Sequence, residues 1–385
     1  MLLVSRARDE LSNDAALLLC FQVLDSSALP ARTLTVGANL EPDELDHFRT
    51  PSRPTTSGLV RLDDGLLGWS PETSALPQPW DESARLVVRR IGEDLLTTLD
   101  TACGRVGCPV EGFDYPAGTP LLPPLRFSDA PQTVSWLRQH LSVSLATVRA
   151  GGTARLRSLT TALAARLWAC VPTDVPRHWA MDLAEAGTRA AIDGRQPHAL
   201  AGLLRLSARW FATHGDFVTA EAHGVREWMV WKELQDIVGM IDTLWRRALI
   251  YREAGRGNRE LDCYQRLLSL YRRTADRFGV ARTQLARGVA LVAVGRAHDA
   301  AEQLREAART FENPDDLPEV PHIELARTLE ALGRAFWSIG STGTARRQFS
   351  GALRLLVDLD NQAAQRIRAL LATPDDHPLP DPGGG

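Results

Sequence analysis

Apolar residues recur at helical spacing along most of this chain of 385 residues. From Thr153 to Thr373 the pattern falls into pairs of amphipathic runs. A glycine stands inside successive pairs at Gly215, Gly255, Gly295 and Gly340, with steps of 40, 40 and 45 residues. Such a period describes stacked helical hairpins. The last two hairpins share one pattern. Leu332, Gly333, Phe336, Gly340, Ala345, Phe349 and Ala352 are matched by Gly288, Leu291, Gly295, Ala300, Leu304 and Ala307. Two looser copies precede them, carrying Ala248, Tyr251, Gly255 and Tyr264, and Ala208, Phe211, Gly215 and Ala220. A degenerate first copy turns near Pro176, between Trp168 and Trp179. Upstream, the pattern predicts helices from Asp81 to Ala102 and from Phe127 to Arg149, the latter with Trp136, Leu137, Leu141 and Leu145 on one face. A loop dense in Gly and Pro separates them. Nearer the start it predicts a helix beginning at Leu11-Ser12-Asn13-Asp14, a second over Pro30–Ala38 and a third from Pro42 to Arg49. A short hairpin follows over Leu59–Trp69, around Asp64-Gly65.

The small and large positions of the hairpins fall where the tetratricopeptide motif has them. Small residues let two helices approach, and large ones fill the gap to the next hairpin. The expected fold is therefore all-α: a TPR-like right-handed α-solenoid of about five hairpins, with a small N-terminal winged-helix-like module. The expected divisions are 1–75 for that module, 76–152 for a linker and connecting helices, 153–373 for the repeats and 374–385 for a disordered tail. The order of parts resembles the C-terminal half of actinobacterial STAND-type regulators, in which a nucleotide-binding NB-ARC module precedes a winged helix and tetratricopeptide repeats. Leu11 to Ala16, Asp43-Glu44-Leu45 and Leu59 to Leu67 are similar to their winged helix. Pro124 to Asp129, with Trp136-Leu137, resembles the junction before their repeats. The resemblance implies a regulatory sensor half. The nucleotide-binding module itself has no counterpart in this sequence.

Composition narrows the chemistry. Charged residues are 24% and hydrophobic residues 44%, as in a soluble globular protein, and no run of 18 apolar residues suggests a membrane span. Acidic Asp9, Glu10 and Asp14 disfavour a secretory leader, and five scattered cysteines suit a reducing cytoplasm. Lys232 is the single lysine and has no glycine before it, so the Gly-Lys-Ser/Thr of a phosphate-binding loop is missing. No metal-ligand pair of histidines occurs, and Cys103 and Cys108 lack a second pair to complete a zinc site. No cofactor, no metal and no catalytic residue is expected, and the chain is not expected to be an enzyme.

Charge is distributed unevenly. Residues 1–75 hold six arginines against eleven acids, a net −5 that opposes a phosphate backbone. Residues 154–373 hold 31 basic and 25 acidic residues, a net +6. Counted in the repeat register, the inward positions of the first helix of each hairpin are Arg205, Arg209, Asp242, Trp245, Arg252, Arg282, Arg327, Glu330, Arg334 and Trp337. Arginine forks pair with carboxylates and tryptophan supplies apolar anchoring area, so this set suits a protein or acidic-peptide partner. The competing explanation is that an arginine-rich chain exposes arginine everywhere and that the tryptophans are core. Two other functions stay open: a DNA-binding regulator acting through residues 11–75, and an accessory or enzymatic role in specialised metabolism. Asp242, Glu330 and His214 are the first groups to inspect for the second. Open repeat ends also allow self-association.

Overall fold

The computed structural model describes residues 13–24, 28–40, 59–61, 66–69, 82–108, 110, 112–116, 122–313, 321–357, 359–375 and 377–379. The expected helix over 42–49, the turn at Asp64-Gly65 and the Pro-rich stretch 70–80 lie outside these residues. The chain divides into two compact units, residues 1–210 and 211–385.

The first unit opens with α1 (Asn13–Val23) and α2 (Ala31–Gly37). Their apolar residues Leu17, Leu19, Val23, Leu34 and Val36 are buried. Three short strands, β1 (Ala28–Pro30), β2 (Leu59–Arg61) and β3 (Leu66–Trp69), form an antiparallel sheet of order β1-β3-β2. The hairpin and the second helix were legible in the sequence; β1 was not, because three residues are too few to show an alternation. α3 (Glu82–Val106) then carries two acids that receive arginines. Arg32 donates to Asp94 through Nε and Nη2, at 2.8 and 2.5 Å. Arg166 donates to Asp100 at 2.6 Å and to the Phe113 carbonyl at 3.0 Å. These bonds pin part of the Gly/Pro-dense loop. Phe113 is buried against Gly202, where a Cβ would stand 2.6 Å from its ring. α4 (Ala130–Thr153) begins at Asp129, whose side chain accepts from the Gln132 amide at 2.8 Å.

Helical hairpins follow: α5 (Arg157–Cys170) with α6 (Arg177–Asp193), and α7 (Pro197–Thr213), within which the boundary between the units falls. The second unit continues with α8 (Phe217–Glu233), α9 (Ile237–Glu253), α10 (Gly257–Arg273), α11 (Arg277–Ala293), α12 (Ala297–Glu312), α13 (His322–Ser338), α14 (Thr342–Leu356) and α15 (Asn361–Ala372). The all-α repeat class expected from the pattern is the class observed.

The backbone period is half the glycine period. Left-handed residues occur at Arg195, Gly215, Gln235, Gly255, Ala275 and Gly295, every 20 residues, and again at Gly340. Each closes a helix with the same paired bonds. At Gly255 its amide donates to Arg252 O (3.0 Å) and the Arg256 amide donates to Tyr251 O (2.8 Å). At Ala275 the bonds run to Arg272 O and Tyr271 O. This is the Schellman closure. A left-handed conformation costs an L-residue about 1–2 kcal/mol, and glycine avoids that cost. Arg195, Gln235 and Ala275 take the conformation without glycine, and after the last two the next residue is an aspartate. Asp236 and Asp276 cap the following helix by accepting from the Gly239 and Gly279 amides at 2.9 and 2.7 Å, a contribution of about 1 kcal/mol.

Inside a hairpin the motif positions do what their sizes suggest. A Cβ on Gly333 would stand 2.4 Å from Phe349, so only glycine allows α13 and α14 to cross there. Phe349, Phe311, Tyr264, Leu267 and Leu304 are among the fully buried large side chains of the unit. Part of the expected tail makes contacts with the last hairpin. Asp375 and His377 are tied to α13 and α14, and Leu379 packs on the last apolar cluster. The remaining tail residues lie outside the description.

Candidate functional site

Arg205 and Arg209 project from α7 in the first unit, both exposed. The other predicted partner-facing residues belong to α9, α11 and α13 of the second unit. Structure brings some of them together. The Trp245 ring lies under the Arg282 guanidinium, 5.3 Å from carbon to ring centroid. Its Nε1 donates to Tyr271 Oη at 3.1 Å, and its face meets Tyr264 edge-on at 5.6 Å. The indole is held on three sides before any partner arrives, and a stacked guanidinium keeps its donors free to bond elsewhere. Among the described residues Arg282 has no carboxylate partner.

Leu249 lies one turn beyond Trp245 on α9 and Val289 two turns beyond Arg282 on α11, exposed by 49% and 39%. The sequence reading missed them, although the signal was available. Both lie at the register position of Arg209, 40 and 80 residues on. Asp242 lies one turn before Trp245 on α9 and is exposed, as is Arg327 on α13. The indole and guanidinium thus share helices α9 and α11 with two exposed apolar side chains.

Other predicted members serve the protein itself. Arg252 closes onto Glu260, donating through Nε at 2.8 Å, and its Nη2 donates to Tyr264 Oη at 2.8 Å. The Tyr264 hydroxyl donates to the same carboxylate at 3.1 Å. Glu260 is only 4% exposed, so Arg252 balances a buried charge. Glu330 and Arg334 pair along α13 at 3.3 Å. Trp337 is half-buried, with Arg346 at 5.6 Å over its ring and its Nε1 donating to the His377 carbonyl at 3.2 Å. Arg346 was not foreseen: nothing local in the sequence marks it, because its partners lie 25 to 29 residues downstream.

Burial also shifts groups on α8. Burial pushes the Glu227 carboxyl up, and the neighbouring Arg246 opposes this. Burial, reinforced by Arg226, pushes His223 down to about 4, where it meets the Phe211 ring edge-on. Of the three groups marked for inspection, Asp242 is exposed, Glu330 is paired with Arg334, and His214 meets the Thr213 hydroxyl on a helix turn. Among the described residues no helix is long and apolar enough to cross a membrane.

No family model and no curated protein matches the chain. Solved structures similar to it include BtubC (BKLC) from P. vanneervenii, at 16% identity and a TM-score of 0.42, covering 66% of this chain and 96% of that one. Another is PH0952 from Pyrococcus horikoshii, a Signal Transduction ATPase with Numerous Domains with a tetratricopeptide repeat sensor. There the identity is 12% and the TM-score 0.41, over 94% of this chain and 59% of that protein.

Proposed function

We propose that this chain is a non-catalytic recognition protein that binds a protein segment or acidic peptide through the face carrying Leu249, Trp245, Arg282 and Val289. The observation that carries the reading is the Arg282–Trp245 stack: an indole fixed from below and at its edge, roofed by a guanidinium with no carboxylate partner among the described residues. An apolar side chain of the partner fills the space at Leu249 and Val289, and a carboxylate meets Arg282 in a charge-assisted bond. A regulatory role in the cytoplasm accords with the sequence resemblance to the sensor half of STAND-type regulators. The N-terminal module is read as winged-helix-like, which the sheet order β1-β3-β2 supports. Its net −5 charge favours a spacer over a DNA reader.

The test is an array of fluorescent acidic peptides with one apolar anchor, probed with the wild type and with Leu249→Asp/Arg282→Glu. Peptides retained by the wild type and lost by the variant support the proposal. Equal retention by both, with matching melting curves, removes this face from consideration. Light scattering on the same samples reads self-association.

A further inference from the structure

A second arginine–tryptophan pair stands at the end of the last hairpin, and it is already filled. Arg346 Nε and Nη2 donate to Asp375 Oδ1 at 2.9 and 2.7 Å. Nη2 also donates to the Thr373 carbonyl at 2.7 Å, and Nη1 donates to the Leu371 carbonyl. Thr342 Oγ1 donates to Asp375 Oδ2 at 3.3 Å. Trp337 Nε1 takes the His377 carbonyl, and Leu379 reaches the apolar cluster of α14 and α15. The Arg346 hydrogen bonds, first among the causes, hold the Asp375 carboxyl below its ordinary range.

The contacts divide into two kinds. The Leu371 and Thr373 carbonyls end α15, so their bonds to Arg346 belong to the fold. Those from Asp375 onward involve a surface segment that begins with a turn, the His377 amide donating to the Pro374 carbonyl at 3.1 Å; the Asp375 side chain is 61% exposed, and the Trp337 bond is exposed as well. Exposed ion pairs contribute about 0–1 kcal/mol each. The segment therefore stays in place chiefly because it is tethered, at an effective concentration on the order of millimolar. What holds it is the side-chain chemistry of a peptide receptor: a fork for a carboxylate, an indole donor for a carbonyl two residues on and an apolar seat two residues further.

We propose that Trp337, Thr342 and Arg346 form a binding site for a partner peptide of the type Asp-x-x-x-Leu, and that the chain's own Asp375, His377 and Leu379 occupy it as a built-in competitor. The tail supplies the template for the ligand: carboxylate, carbonyl and leucine sit at 375, 377 and 379. This site is separate from the Trp245–Arg282 face and stands or falls independently of it.

The test uses the full chain and a fluorescein-labelled peptide with the sequence of residues 373–380, read by polarisation. Asp375→Lys repels the tail from Arg346 without touching the site. It is expected to bind the peptide at least ~10-fold tighter than wild type, as the tethered competitor is lost. Adding Arg346→Ala, or the milder Thr342→Val, to Asp375→Lys is expected to return binding to the wild-type level or below. Hydrogen exchange should show residues 373–379 deprotected in Asp375→Lys with α13 and α14 unchanged. The proposal is overturned if Asp375→Lys binds no tighter, if both added substitutions leave binding intact, or if the tail stays protected. Mixing Asp375→Lys with Arg346→Ala provides the last arm. Dimers formed only in the mixture would assign the site to a second copy's tail and overturn the partner assignment.

Discussion

Two arginine–tryptophan pairs in the second unit have nearly the same geometry and opposite circumstances. Arg282 lies 5.3 Å from the Trp245 ring, and Arg346 lies 5.6 Å from that of Trp337. The first pair is in mid-array, where each hairpin is followed by another. The second is at the end, where the chain leaves α15 and runs back over α13 and α14. Arg346 thus gathers one carboxylate and two carbonyls from its own chain, while Arg282 has only the indole among the described residues. What separates an available guanidinium from a satisfied one here is whether a segment is tethered within reach.

The largest test of this contrast sets Arg282 against Arg252, both counted as inward-facing in the repeat register. Arg252→Ala leaves Glu260 buried with only the Tyr264 hydroxyl as a donor, and an uncompensated buried charge costs about 2–3 kcal/mol. Arg282→Ala removes an exposed residue and should change stability by no more than about 0.5 kcal/mol. Urea melts of the two variants check the pair of outcomes. A comparable loss in both would show that Arg282, too, is tied into the fold.

Acid distinguishes the interior from the tail. His223 has a folded value of about 4 against 6.5 unfolded, so below pH 6.5 the unfolded chain takes up a proton that the native chain refuses. Stability is therefore full above pH 6.5 and falls as pH approaches 4, by up to about 3 kcal/mol for this group. Glu227 has the opposite sign: its raised folded value means that its protonation on acidification favours the native state and offsets part of the loss. The difference between wild type and His223→Leu isolates the histidine, and melts between pH 7 and 4.5 should converge in that variant. Asp375 is depressed, so its bond to Arg346 contributes above the ordinary carboxylate value and is lost only as pH falls below it. Tail protection measured by exchange should outlast the first loss of stability.

A smaller effect concerns the turns. Ala275→Gly removes the strain of a left-handed alanine but adds backbone freedom to the unfolded chain, so a gain of no more than about 1 kcal/mol is expected. Gly255→Ala should cost about 1–2 kcal/mol. Thermal melts that reversed this order would show that the aspartate caps, not the closures, set the 20-residue step.

The helical repeat was legible because it is written locally. Apolar spacing, glycine at alternate turns, and the Gly333 and Phe349 pairing each report a constraint within one hairpin. The sequence showed a 40-residue period where the backbone has 20, because Arg195, Gln235 and Ala275 adopt the glycine conformation without the glycine. The inward register included both Trp245 and Arg282, which the structure brings together. It could not tell them from Arg252, whose role depends on Glu260 being buried, nor from Trp337, whose edge is claimed by a segment 40 residues away.

The amino-acid sequence by itself determined that this is an all-α repeat protein and where its glycine-marked hairpins turn. Periodicity and turn chemistry act over a few residues and leave their mark in order. Tertiary structure alone decided which arginines are spoken for. A guanidinium's partner is chosen by three-dimensional proximity and by the cost of leaving a buried carboxylate unpaired. Neither quantity can be read along the chain.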